Sequence, residues 1–253
     1  TSFLAYTKNM NILGISVEDY SKQEVINRVV THLRTKKFTQ IVSLNPEILV
    51  RAQSDAAYRK LLQNSAIKLI DGTGVLIAGK ILGIPIGERV TGVELMSKLI
   101  TIADGMRLKV LIIGGYDTVA SDLASSLEKN HSKAEFKGIK GYKDVYKPSP
   151  KEETAVQKLL LDYKPDLVFV AFGAPAQEFW IQNHKQFLKS AVCMVVGGAV
   201  DFLAGKVKRA PVFMQKIGLE WLFRLLNEPW RWKRQLSLVT FIKLVIQEKC
   251  KGI

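Results

Sequence analysis

Short β-branched and aliphatic runs alternate along the chain with stretches of helical length. QIVSL (40–44), IKLI (67–70), LKVLIIG (108–114), LVFVAF (167–172) and AVCMVVG (191–197) read as buried strands. Ser21 with Glu24 ahead of VINRVVTHL forms a capping box, and Ser149-Pro150-Lys151-Glu152 forms another with proline at the first helical position. Unbroken apolar strands separated by helices predict an α/β fold with parallel sheets covered on both faces. A seam near 102–108 would divide the body into an N-terminal half and a Rossmann-like C-terminal half. The segment 138–150, with its glycines, prolines and lysines, reads as a solvated connection over one edge. From residue 210 the pattern becomes helical, aromatic and basic, and Asn227 is placed to cap a second helix near Pro229. The expected organisation is therefore an extension or tag remnant over 1–10, an α/β catalytic body over 11–205, and a helical hairpin appendage over 206–253.

Composition narrows the class. The 253 residues are 47% hydrophobic, ample for a core, and no run of about 18 uncharged apolar residues is present to cross a membrane. Two cysteines, Cys193 and Cys250, make neither a disulfide framework nor a CxxC motif, which points to a reducing setting. The first ten residues lack the pattern of an export signal. With 37 Lys+Arg against 23 Asp+Glu the net charge is +14, which calls for an anionic partner: nucleic acid, a phosphorylated metabolite or an acidic lipid surface. Eleven basic and three acidic residues follow position 205, so +8 of the charge lies in the last fifth of the chain.

Candidate chemistry clusters after the strands, where parallel sheets bind ligands. Ser43 and Asn45 would face such a crevice, although Asn45-Pro46 equally suits the cap of a following helix. Asp71, in I-D-G-T-G, can serve as a general base or cap a helix over 75–82. Arg89, in E-R-V-T-G, offers bidentate donors to phosphate or makes a surface ion pair, while Thr91 can cap a helix over 92–103. Gly114-Gly115, Gly173 to Glu178, and Gly197-Gly198 with Asp201 also follow strands, yet none matches GxGxxG or a Walker sequence. There is no D-x-D pair, and His32, His131 and His184 are scattered without ligand spacing, so no metal is predicted. In the tail, Arg224, Arg231 and Arg234 would fall within about 80° of arc on an uninterrupted helix, although Pro229 interrupts it. Trp221, Phe223, Trp230 and Trp232 interleave with these arginines as in an interfacial helix on an anionic leaflet; a core-packing hairpin with a solvated basic face is the alternative.

Taken in order, S-L-N-P-E (43–47), I-D-G-T-G (70–74), E-R-V-T-G (88–92), F-G-A-P-A-Q-E (172–178), G-G-A-V-D-F-L-A-G (197–205) and E-W-L-F-R-L-L-N-E-P-W-R (220–231) resemble the WecG/TagA/CpsF family of bacterial glycosyltransferases over 11–235, and its TagA branch most. The resemblance implies an inverting, metal-independent transferase without cofactor. It would move N-acetylmannosamine from UDP to the 4-hydroxyl of GlcNAc-diphosphate-undecaprenol, an early step of wall teichoic acid synthesis. It also implies a peripheral protein of the cytoplasmic membrane face whose appendage completes the site. By position, Asp71 is the implied base with Ser43 and Asn45 beside it. Gln177 and Asp201 match donor-site positions, Arg89 a pocket arginine, and Arg224, Arg231 and Arg234 arginines that engage a diphosphate. Many relatives have threonine where this chain has Ser43. Gly114, Gly115 and Gly198 are expected to border the nucleotide. Other expectations are the same fold with UDP-ManNAcA or a UDP-hexose as donor, a homo-oligomer through the apolar appendage, and, as a different class, a nonenzymatic nucleic-acid module.

Overall fold

The computed structural model describes residues 10–229 and 232–251. It begins with an antiparallel hairpin of β1 (Asn11–Ile12) and β2 (Ile15–Ser16), turned through Gly14 at φ +77°, where glycine is unstrained. The body then runs α1 (Lys22–Arg34), β3 (Thr39–Leu44), α2 (Pro46–Ser54), α3 (Ala56–Asn64), β4 (Ile67–Ile70), α4 (Thr73–Leu82) and α5 (Gly92–Met106). It continues with β5 (Lys109–Gly114), α6 (Val119–Asn130), β6 (Glu135–Ile139), α7 (Pro150–Tyr163), β7 (Leu167–Ala171), α8 (Ala176–Asn183), β8 (Val192–Val195) and α9 (Ala199–Leu203).

Strands β3 to β8 form one parallel sheet in the order β4-β3-β8-β7-β5-β6. Side chains alternate between its faces, and both faces are apolar. Val42, Leu111, Val168 and Cys193 enter one cluster, and Ile41, Val110, Leu167 and Val192 enter the other. All five expected strands are present: β4 spans its apolar run, β3 is one residue longer, β5 and β7 are one shorter and β8 is three shorter. The edge strand β6 is not among them: it reads E-F-K-G-I, and only Phe136 is buried, because an edge strand covers little core. The seam at 102–108 falls at the end of α5, and β8 pairs with β3 (Thr39↔Val192) as well as β7, so strands from both halves share one sheet.

The segment 138–150 also departs from expectation. Its first residues complete β6, and Tyr142 is buried at 5% exposure. The Tyr142 hydroxyl donates to Glu153 Oε2 (3.0 Å) and accepts from Trp180 Nε1 (2.9 Å), while His184 Nε2 lies 3.0 Å from Glu153 Oε1. The loop is thus pinned to the body at Tyr142, while residues 143, 144 and 146–150 remain exposed as expected.

Three helices replace the expected hairpin at the C-terminal end: α10 (Val212–Lys216), α11 (Glu220–Asn227) and α12 (Trp232–Cys250). Asn227 ends α11, and its Nδ2 donates back to Phe223 O. The single continuous helix that would align the tail arginines does not form. α12 lies across α2 and α4, inserts Phe241 and Val245 into the core, and at its far end Glu248 accepts from Leu13 N at 3.0 Å. Its outer face leaves Leu236, Val239 and Ile246 exposed. Among the described residues no helix is long and apolar enough to cross a membrane.

Candidate active site

The carboxyl ends of β3 and β4 lie side by side, with Leu44 opposite Ile70. The chain beyond β4 stays in that register, since Asp71 N and Gly72 N both donate to Leu44 O (3.1 and 3.3 Å). This sets Asp71 against the Asn45-Pro46 turn. A Cβ on Gly72 would fall 2.8 Å from Pro46 Cδ, so glycine is required for the close approach. Gly72 is the N-cap of α4 without a side-chain bond, which leaves the Asp71 carboxyl free of the capping duty its position suggested. Asn45 does cap α2, its Oδ1 accepting from Ile48 N at 3.0 Å. Thr91 likewise caps α5 in a capping box with Glu94.

Asp71 borders a cavity of about 890 Å³ over the strand ends. Ser43, Asn45, Arg89, Gly115, Gln177, Gly198, Asp201, Arg224 and Arg234 line it too, so these predicted residues are brought together from eight segments of the chain. Gly114 is not in the wall. Its φ is +102° and its Cβ would meet the Ala171 carbonyl carbon at 2.8 Å, so glycine there serves the packing of β5 on β7. Arg231 lies outside the described residues.

Arg89 is held by three parts of the molecule. Its Nε donates to Asp71 O (2.6 Å), Nη1 to Gln215 O (3.2 Å) and Nη2 to Glu220 Oε2 (3.3 Å). Glu220 also accepts from Arg209 Nε at 3.1 Å, and Arg209 donates to Thr91. One carboxylate of α11 therefore bridges two arginines at the mouth of the site. Arg224 stands 5.0 Å over the Phe202 ring and pairs with Glu228 (3.1 Å). Its Nη2 sits 2.8 Å from where a Gly198 Cβ would be, so the glycine admits the guanidinium to the backbone. Arg234 pairs with Glu47 through both Nε and Nη2 (3.0 and 2.6 Å). Gln177 Oε1 accepts from Gly197 N at 3.2 Å, fixing the loop after β8.

Burial pushes the Asp71 carboxyl up to about 6, with Glu220 and Glu94 adding to the rise, while Arg89 and the Gly92 N–H oppose it. A carboxylate with that pKa is basic enough to take a proton and still ionised at neutral pH. Glu178, fully buried beneath Gln177, is pushed up to about 7 by burial and leaves Oε2 without a hydrogen-bond partner. Among the described residues no group of three His, Cys, Asp or Glu side chains could hold a metal ion.

Several cavity residues escaped sequence reasoning. Lys140, Tyr142 and Lys143 belong to the loop read as a solvated connection, and a recognised edge strand before it would have put them at a strand end. Glu47 and Glu220 stood in quoted blocks without a role; Arg234 is 187 positions from Glu47, and Glu220 pairs with Arg89 131 positions away as well as with Arg209 11 away.

The family model described as glycosyl transferase WecG/TagA/CpsF family matches residues 10–253. A Bacillus spizizenii protein named N-acetylglucosaminyldiphosphoundecaprenol N-acetyl-beta-D-mannosaminyltransferase is 35% identical over 221 residues, covering 87% of this chain and 83% of that one. A Staphylococcus aureus protein of the same name is 32% identical over 247 residues, 97% of this chain and 95% of the relative.

Proposed function

Because the chain belongs to the WecG/TagA/CpsF family of glycosyl transferases, we propose that it moves N-acetylmannosamine from UDP to the 4-hydroxyl of a GlcNAc-diphosphate-polyprenol acceptor, as its relatives' names describe for the transferred and accepting groups. The observation that carries the mechanism is Asp71, a carboxylate raised to about 6 at the wall of a cavity where Arg89, Arg224 and Arg234 converge. Asp71 takes the proton of the acceptor hydroxyl as its oxygen attacks the anomeric carbon. The C–O bond to UDP breaks on the opposite face, and the configuration inverts. Ser43 and Asn45 border the sugar beside the base, Gln177 and Asp201 the donor, with Gly115 allowing close backbone approach and Gly198 making room for Arg224. The arginines receive the negative charge that develops on the leaving diphosphate or hold that of the lipid. We assign this duty to arginine and not to a divalent ion, so turnover should survive chelation.

The substrate's lipid stays in a bilayer, so the exposed apolar face of α12 and the +8 charge after residue 205 fit a peripheral protein on an anionic cytoplasmic leaflet. The reaction would contribute the linkage disaccharide of wall teichoic acid. A panel of UDP-ManNAc, UDP-ManNAcA, UDP-GlcNAc and UDP-glucose with a soluble GlcNAc-diphosphate-lipid, read by product mass, tests the proposal. Transfer from UDP-ManNAc is expected, and product from only another sugar would replace the donor assigned here.

A further inference from the structure

The cavity does not end at its charged wall. It continues from Asp71 between α4 and α12, where Ile77 and Ile81 of α4 face Leu238, Phe241, Ile242 and Val245 of α12 across the same space. The spacings i, i+4 on one helix and i, i+3, i+4, i+7 on the other put each set on a single face. The direction is also set. α4 starts at Thr73, two residues after the base, and Leu238 Cδ1 lies 3.8 Å from where a Gly74 Cβ would be. Arg234 precedes Leu238 by one turn of α12 and is at the polar end. Leading away from Asp71 the walls therefore change from arginine to aliphatic, and from Leu238 to Val245 the groove runs about 10 Å along the helix.

Three of these isoleucines remain open to solvent: Ile77 is 57% exposed, Ile242 49% and Ile81 39%. Isoleucines on two adjoining helices that line one cavity and stay wet form a surface in want of an apolar occupant. We infer that this groove seats the first isoprene units of the acceptor, next to the diphosphate, so that the enzyme grips the lipid chain itself as well as its headgroup. The inference rests on the transferase reading for its occupant: the order base, arginines, aliphatic groove repeats the order sugar, diphosphate, isoprenoid in the acceptor that the relatives' names print. A second copy of the chain is the other candidate to cover α4 and α12, and light scattering separates it from the lipid.

Direct binding tests this without relying on turnover. Methyl, geranyl and farnesyl diphosphate are titrated calorimetrically into the full chain, below their aggregation limits and without vesicles. The Kd should fall on the order of tenfold from methyl to geranyl, as an aliphatic chain leaves water, and change less from geranyl to farnesyl as the chain outruns the groove. Ile77→Ser and Ile242→Ser change exposed positions that the fold tolerates, and each should erase most of that gain while leaving methyl diphosphate binding as it is. Equal Kd values for the three ligands in the unaltered protein overturn the groove. So does a pair of serine variants that shift only the oligomeric mass in light scattering and keep the chain-length gain. A protein that shows the gain yet transfers no sugar in the donor panel retains the groove and loses the transferase assignment instead.

Discussion

Asp71 and Ser43 stand at the ends of strands or in the turns that follow them, and Gln177 in the first turn of α8 after β7, all on main chain anchored by the parallel sheet. Glu220, Arg224 and Arg234 reach the same cavity from helices tied to the body largely by ion pairs and by one inserted apolar face. The first wall is buried at Ser43 and Gln177 and half-buried at Asp71, and its geometry is cooperative with the core. The second is partly wet, and its contacts are of the kind that salt and single charges alter. The division matches the two demands on the site. In the proposed transfer a proton is taken at a fixed distance, whereas a long lipid-linked acceptor enters and leaves.

The largest effect should come from the strand-end wall. Asp71→Asn removes the proposed base and keeps the shape, so kcat should drop by about 10²–10⁴-fold while UDP affinity and thermal unfolding stay near those of the unaltered protein. Rapid-quench turnover with parallel calorimetry checks this, and undiminished turnover would take Asp71 out of the mechanism. The pH profile gives the same group a second reading. Because burial raises its pKa to about 6, the carboxylate fraction and hence kcat should rise through that pH and level off above it. Arg224→Ala tests the other wall: loss of one charge-stabilising donor should lower kcat by about 10²–10³-fold without changing the acid limb. A loss confined to lipid-linked acceptors would assign Arg224 to the lipid diphosphate and not to the leaving UDP.

The two walls also differ in what their residues disclose without coordinates. The strand-end wall is legible because apolar runs such as I-K-L-I and L-V-F-V-A announce where strands stop, and the polar residue that follows is at the site. Residue type alone left Asn45 and Asp71 each with two readings. Asn45 both caps α2 and borders the cavity, while Asp71 is free only because Gly72 takes the cap position. β6 was missed for the same reason in reverse: with Glu135 and Lys137 alternating around Phe136 it has no apolar run to notice. The appendage wall was legible as composition, basic and aromatic, but not as geometry. The end of α11 at Asn227 and the pairing of Glu220 with Arg89 and Arg209 are tertiary facts, and no local periodicity encodes them.

Beneath the strand-end wall, Glu178 carries a cost that pH should expose. Its folded pKa is raised from 4.5 to about 7, so the fold favours the protonated form. The unfolded chain releases the proton near 4.5. Stability from this group is therefore fully present below that pH and lost as pH rises through 7, by about 3 kcal/mol. Glu178→Gln keeps the shape and removes the titration. Its melting temperature should equal that of the parent near pH 4 and exceed it at pH 8, and a difference independent of pH would mean that the carboxyl is ionised in the fold.

The smallest effect is the one that joins the walls. Glu220 accepts from both Arg89 and Arg209 with its side chain 20% exposed, so Glu220→Gln weakens two partly screened pairs and should cost about 1 kcal/mol, near a fivefold loss in kcat/KM for the acceptor. A merely structural latch would do no more than that. The geometry demands a second consequence, because Glu220 pushes the Asp71 pKa up and Arg89, which it partly neutralises, pulls it down. Removing the charge acts twice in the same direction, so the acid limb of kcat should move to lower pH. The same substitution should make acceptor kcat/KM less sensitive to added salt, since the screened contacts are already weakened. A limb that stays in place, or moves to higher pH, would show that α11 holds the lipid side of the cavity without tuning the base, and the two walls would then be electrostatically independent.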